Sequence, residues 1–342
     1  MKKIFFAAML SLTAAVFAEK QEVKTLTVKN GATLFDTTGN VLHAHGGWIL
    51  KSGDTYFWYG ENRTENNYVS CYASKNLVDW EFRNNILTVD SKFEKIRVRT
   101  DGKLFNTEVN KKVNIERPKV FYNESTKKYI MWAHYENGEN YSVAGIAVAS
   151  CDTPDGNFTY HGSFKPYGQM SRDCTIFQDK GKTYFASAAR NNADMNVYLL
   201  QKDGLNIEKQ IGSWWQGEYR EAPAFVKVKD RIYCFNSGCT GWEPNQGQYA
   251  SSLSMEEGFG LLSNIGNETT YNSQPAFILT LKGSKTTSYI YVGDRWNGGE
   301  YHLSTYTWFP LHFNKDGTVT LEYCDELEIN AKTGEVKPIV YK

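Results

Sequence analysis

The sequence predicts an all-β protein, a five-bladed β-propeller, on three observations. Apolar residues alternate or come in runs of four to six, bounded by Gly, Asn and Asp, and helical periodicity is poor; this is strand behaviour. Aromatic residues are 15% of the chain, with 22 Tyr, 19 Phe and 9 Trp, a load that pleated sheets pack well. Most telling, one pattern is written five times: a polar head residue, a short apolar strand, a polar turn and an aromatic-rich second strand. The heads are His45, Glu116, Asp173, Glu221 and Gln274, separated by 71, 57, 48 and 53 residues. Near-regular repetition of this length points to radial or stacked units, and four-stranded radial units make a propeller. A β-sandwich or β-helix is the alternative, but a sandwich does not need polar heads at equivalent places.

In chain order, the first unit runs over residues 41–90, with strands expected at 43–50, 55–59 and 68–73 and a fourth after the turn at Asp79-Trp80. Residues 19–40 are a polar lead-in, and 91–113 read as a long charged surface connection. Units two to five cover about 114–166, 168–213, 218–262 and 270–313; their second strands are expected at 128–132, 183–186, 233–238 and 288–292. The tail, 314–342, holds two short strand candidates at 319–323 and 335–340 and is expected to pair with the first strands to close a ring.

Composition limits the function classes. Formal net charge is zero across 342 residues, so a nucleic-acid or anionic-membrane partner is not expected. Met1-Lys2-Lys3 followed by an apolar run to Ala18 reads as a secretory signal peptide over residues 1–18, leaving 19–342 as one propeller domain, secreted or periplasmic. The run is too short for a membrane span, which needs about 20 residues. The chain is expected to act as a monomer, and its length leaves no room for a separate carbohydrate-binding module. Export permits disulfides among the six Cys. A Cys234–Cys239 bridge and buried free thiols are equally open, and without a C-x-x-C pair a zinc site is not expected.

In a propeller the innermost strands line the central channel, so five equivalent heads converge on one mouth. Clustered carboxylates repel one another, and at least one is pushed toward its protonated form. A proton-bearing carboxyl near neutral pH is what glycoside hydrolysis requires at the leaving oxygen. Each head also has a bland reading: Glu116 as a ligand of backbone amides, Asp173 and Glu221 as ion-pair partners of Arg172 and Arg220, Gln274 as a structural amide. His43 and His45 share a strand face without an evident third ligand, so no metal site is expected. Trp242, Trp214, Trp215 and Trp296 are either sugar-stacking or core residues. Asp294 either accepts a sugar hydroxyl or pairs with Arg295.

Taken together, Ala44-His45-Gly46-Gly47, Glu116-Arg117-Pro118-Lys119-Val120, Ser171-Arg172-Asp173, Glu221-Ala222-Pro223, Thr240-Gly241-Trp242-Glu243-Pro244-Asn245 and Ser273-Gln274 resemble glycoside hydrolase family 43. The likeness is to its exo-β-1,3-galactanase-like branch and spans nearly all of residues 19–342. It implies an inverting enzyme with Glu221 as general acid and Asp173 as orienting, pKa-tuning carboxylate. Gln274 is the atypical base, and Glu116 holds that Gln or the substrate. His45 stands where most of the family has a base Asp, a departure this branch shares. Arg117, Thr240, Trp242 and Asn245 are implied as subsite residues; His45 and Asp294 are expected as further substrate contacts from their places at the mouth, not from the resemblance. Acid and base of an inverting pair stand about 6.5–9.5 Å apart. No cofactor is required, although the likeness allows a structural Ca²⁺ or Na⁺ ion in the channel with His302 nearby. The expected partner is a polysaccharide or oligosaccharide, most specifically β-1,3-galactan of arabinogalactan type. An α-L-arabinofuranosidase, a β-galactofuranosidase and a non-catalytic sugar-binding propeller are the alternatives.

Overall fold

The computed structural model describes residues 26–96 and 102–342. The signal peptide expected at 1–18 lies outside them. The chain is all-β in a β-propeller arrangement, with two short 3₁₀ turns and no α-helix among the described residues. Five antiparallel sheets have four strands each, joined in simple up-and-down order. Their first strands are His45–Ser52, Asn114–Asn123, Cys174–Asp179, Arg220–Val228 and Gln274–Lys282. These pack side by side in cyclic order, each against the next and the fifth against the first.

The count differs from the expectation of five. A sixth, three-stranded sheet is built from Leu26–Lys29, Glu326–Asn330 and Glu335–Ile339. The lead-in therefore does pair with the tail, but in a sheet of its own rather than within the first unit. Asn30 fastens that sheet to unit five, its side chain accepting from Trp308 N at 2.6 Å and donating to Trp308 O at 3.1 Å. The tail candidate at 319–323 is instead the outer strand of unit five, Val319–Leu321, paired with Thr305–Phe313. The connection at 91–113 carries a two-stranded hairpin, Phe105–Asn106 with Lys111–Lys112.

The core is a set of apolar wedges between neighbouring sheets. Strand alternation explains this directly, because successive side chains point to opposite faces. In unit two, Val120 and Met131 face the wedge shared with unit one, while Phe121, Ile130 and Trp132 face the wedge shared with unit three. In unit three, Ile176 and Phe185 face unit two, whereas Phe177, Tyr184 and Ala186 face unit four. Both faces of the inner three strands are thus buried, which is why their apolar runs look continuous rather than cleanly alternating. All six cysteines are free thiols, so the Cys234–Cys239 bridge is not formed.

Candidate active site

Each head residue lies at or beside the start of an innermost strand, and a β-bulge follows it in four of the five units. Register breaks occur between His45 and Trp48, Glu116 and Lys119, Glu221 and Ala224, and Pro275 and Phe277. Gly46, Arg117 and Ala222 at three of these bulges have φ of +55°, +51° and +54°. Arg117 and Ala222 thus occupy the left-handed region that L side chains rarely adopt. A bulge bends its strand and re-aims the neighbouring side chain. Three of the heads so followed, Glu116, Glu221 and Gln274, are thereby turned into the mouth instead of lying flat in the ladder.

The mouth is a cleft of about 270 Å³. Glu116, Asp173, Glu221 and Gln274 all line it, so the four residues read as catalytic do meet. Arg117 and Trp242 line it as well. Arg117, almost fully buried, is the hub. Its Nε lies 2.8 Å from Asp173 Oδ2, its Nη1 donates to Pro275 O at 2.9 Å, and its Nη2 donates to Gln274 Oε1. Its backbone N–H donates to Glu61 Oε1 at 3.0 Å. One residue, through its side chain and its backbone N–H, thus ties units one, two, three and five together. Burial opposes its charge, but Asp173, Asp294, Glu221 and Glu61 outweigh that and hold the guanidinium more firmly protonated than usual.

Glu221 is the proton-bearing head. Burial first, and the Asp173 charge second, push its carboxyl up to about 7, against the opposing pull of Arg117 and of hydrogen bonds from Cys239 and Gln274. Gln274 Nε2 donates to Glu221 Oε1 at 2.9 Å and Asn192 Nδ2 to Oε2 at 3.1 Å. Glu116 is the opposite case. Burial raises it, but His134, Arg63 and Tyr141 together hold it well below the usual carboxylate range. Two carboxyl groups on one cleft, one keeping its proton up to about pH 7 and one held as the anion, are what acid–base chemistry needs.

Gln274 is fully engaged. Its Oε1 accepts from Arg117 and, at 2.7 Å, from Trp296 Nε1; its Nε2 donates to Glu221 and, at 2.9 Å, to Ser237 Oγ. Guanidinium and indole are donors only, so the amide orientation is fixed by its partners. The acid and the amide therefore touch, at 2.9 Å, where a separation of 6.5–9.5 Å was expected for acid and base.

Other expected contacts turn out to be braces. His45 and Asp294 are each 1% exposed and pair at 3.2 Å, and Asp294 also accepts Gly46 N at 3.0 Å. With His45 stacked on Tyr306, 4.6 Å between centroids, they lock unit one to unit five, and Asp294 also lines a recess beside the cleft with Trp242, Gln274 and Trp296. Arg295 instead donates to Tyr271 O. Asn245 spends its amide on Gly238 N and O, at 2.7 and 2.9 Å, and on Thr240 Oγ1, at 2.7 Å. Asn245 and Thr240 hold the loop whose tip, Trp242, is 42% exposed at the cleft. Trp296 shares the cleft and packs edge-on to Trp242, whereas Trp214 and Trp215 pack on Phe259.

The sequence reading missed Glu61, Arg63, His134, Tyr141 and Asn192, all at the cleft. Arg63 lies 2.8 Å from Glu61 and 3.0 Å from Glu116, with its guanidinium 4.0 Å over the Tyr301 ring. Glu61 and His134 share a position that only strand register reveals. Antiparallel register sets the far end of each second strand opposite the head: His45 faces Glu61, Glu116 faces His134, Glu221 faces Ser237 and Gln274 faces Asp294. Asn192 arrives through a turn in which Arg190, Asn191 and Asn192 all have positive φ.

The channel position allotted to a Ca²⁺ or Na⁺ ion does not fit one. The buried Lys119 ammonium donates to Gly46 O at 2.7 Å and Arg117 O at 3.2 Å, using the carbonyls that a cation would want. Burial lowers this amine to about 8. Among the described residues no three His, Cys, Asp or Glu side chains come together as a metal site, and His302 lies on the surface beside Glu300.

The comparisons agree with this geometry. Residues 42–258 match the model for glycosyl hydrolases family 43. An exo-β-1,3-galactanase from Clostridium thermocellum is 45% identical with a TM-score of 0.85, over 92% of this chain and 69% of that one. An exo-β-1,3-galactanase from Phanerochaete chrysosporium, solved with β-1,3-galactotriose, is 32% identical with a TM-score of 0.79, over 92% and 70%. A family 43 β-1,3-galactosidase solved with galactodeoxynojirimycin is 28% identical with a TM-score of 0.77, over 87% and 99%. Among curated proteins no sequence matches the chain. A propeller mouth that sets Glu221 beside the Asp173–Arg117 pair, and a family match over more than half its length, make this chain a member of glycoside hydrolase family 43.

Proposed function

We propose that the protein is an exo-acting β-1,3-galactosidase that releases galactose from β-1,3-galactan by inversion. The observation that carries the reading is the Glu221 carboxyl, poised near neutrality on a cleft wall with Asp173 and Arg117 beside it. The sister galactanases supply the substrate class. A cleft of about 270 Å³, at the small end of the roughly 300–1,000 Å³ of ligand pockets, suits a chain end better than a long polymer stretch. In this reading Glu221 protonates the glycosidic oxygen, and Asp173, oriented by Arg117, keeps that proton in place. The ionised Glu116 accepts a sugar hydroxyl or the attacking water, and Trp242 and Trp296 supply apolar faces. The five four-stranded sheets form the catalytic ring, with the sixth sheet a clasp outside it. An export signal at residues 1–18, secretion and a monomeric state belong to the same proposal.

Proton NMR of a β-1,3-galactan digest tests it: the expected first product is α-galactose. Release from arabinofuranoside or galactofuranoside substrates alone would transfer the protein to a sister activity. Absence of turnover on all of them would leave a sugar-binding propeller.

For Gln274 to act as base, two changes must accompany sugar binding. Its contact with Glu221 must open, and a proton must settle on Oε1 against two donors, Arg117 and Trp296. The geometry favours an orienting role, in which its N–H steadies the acid. Gln274→Glu then sets a second carboxyl against Glu221. The variant is expected to turn over more slowly, with its alkaline pH limb moved upward because like charge raises the acid further. A rate at or above wild type would instead identify position 274 as the base.

A further inference from the structure

Across the ladder from Glu116 stands a buried chain of polar groups that the proposed chemistry leaves unused. His134 is 2% exposed and opposes Glu116 in the register of the first two strands of unit two. Its Nε2 shares a 2.9 Å hydrogen bond with Glu136 Oε1, and its Nδ1 approaches Glu116 Oε2 at 3.2 Å, an ion-pair distance without the alignment of a hydrogen bond. Glu136, 1% exposed, is itself held by the Ala144 N–H at 2.9 Å. Both ring nitrogens therefore face carboxylate oxygens. A neutral imidazole has one N–H and one lone pair. It would satisfy one carboxylate and turn its lone pair on the other, an arrangement costly in a buried site. Only the doubly protonated ring turns an N–H rather than a lone pair toward each carboxylate.

We propose that His134, anchored by Glu136, is a positioning residue that fixes Glu116 as an anion on the cleft wall. This rests on the galactosidase reading of the cleft. Glu116 Oε1 accepts from Tyr141 at 2.6 Å, Arg63 at 3.0 Å and Asn114 at 3.2 Å. Oε2 has His134 as its partner and keeps a lone pair for a hydroxyl or water. The charged or titratable groups facing the His134–Glu116 pair are Arg63, Tyr141 and Glu136, with Cys174 of unit three against the His134 backbone. Burial lowers the His134 imidazolium, but Glu116 and Glu136 outweigh it and carry it up to about 9.

The test is His134→Gln, with Glu136→Gln as the milder variant, assayed on β-1,3-galactan across pH. Removing the cation leaves burial as the main influence on Glu116, so its proton returns at higher pH. The acidic limb should move up by at least one pH unit while the alkaline limb, set by Glu221, stays in place. Rates at the optimum should fall about 10- to 100-fold, as for other outer-sphere partners. A lower melting temperature with an unmoved acidic limb would reduce His134 to a structural residue and overturn the proposal. Independently, ¹⁵N NMR of the wild-type His134 ring should show both nitrogens protonated at pH 7, and a neutral tautomer there would also overturn it. That spectrum decides the matter if His134→Gln fails to fold. If the wild-type enzyme leaves β-1,3-galactan intact, the functional reading fails, while the spectrum still decides the state of His134.

Discussion

Glu221→Gln is expected to cut kcat/KM on β-1,3-galactan by a factor of about 10²–10⁴, the usual contribution of a positioned general acid. The loss should shrink on an aryl β-galactoside, whose leaving group needs less proton assistance. In the wild type the acid form is required, so activity should fall as pH rises through about 7, where burial and Asp173 set the Glu221 carboxyl. The same substitution should stabilise the fold at pH 8. A folded-state value raised above the ordinary 4.5 means that the native state binds the proton more tightly than the unfolded chain. That contribution is fully present below about pH 4.5 and is lost as pH rises to about 7, a loss on the order of 3 kcal/mol. Gln carries no such charge. It offers one acceptor oxygen to the two donors, Gln274 and Asn192, so about 1 kcal/mol is given back. Thermal melts should show the variant above wild type by about 2 kcal/mol at pH 8 and level or slightly below at pH 4. Unchanged turnover, or a variant less stable at pH 8, would remove Glu221 from the acid role.

How much of this site could be read from the chain alone follows from where the signals lie. The heads were legible because each is a polar residue placed just before an apolar strand, an anomaly that local pattern exposes. Four of them, Glu116, Asp173, Glu221 and Gln274, do share the cleft. The groups that set their charge were not legible, because His134 and Glu61 sit on second strands among aromatics and acquire meaning only through register. Bulges shift that register and leave no residue-type signature: Gly46 marks one, but Arg117 and Ala222 mark others. Braces and contacts were indistinguishable for a similar reason. Asn245 and Trp242 occupy one loop, and only the closed ring of hydrogen bonds from Asn245 to Gly238 and Thr240 shows which of them is free to meet a sugar. The sixth sheet escaped notice because Leu26–Lys29 and Glu326–Asn330 are short and pair across almost the whole chain. A pairing that distant is specified by the closing of the fold and not by any local sequence pattern.

Arg117 is where a single substitution should damage fold and chemistry together. Arg117→Met is expected to destabilise the protein by about 3–5 kcal/mol, the usual consequence of leaving one partner of a buried ion pair behind. Asp173 loses its counter-ion, and Gln274 Oε1 and Pro275 O each lose a donor. The pH profile should move as well. Arg117 restrains the upward push on Glu221, so without it the unopposed Asp173 charge raises the acid further and moves the alkaline limb to higher pH. Arg117→Lys separates charge from shape. The backbone N–H to Glu61 survives the change, and so does the positive charge. The planar fork does not: Nε, Nη1 and Nη2 reach three acceptors on two different units, and one ammonium cannot span them. Lysine should therefore restore most of the alkaline limb while recovering little of the melting temperature or of kcat. If Arg117→Lys melts and turns over like wild type, the fork is not what organises this mouth, and the coupling drawn between Asp173, Gln274 and the acid fails with it.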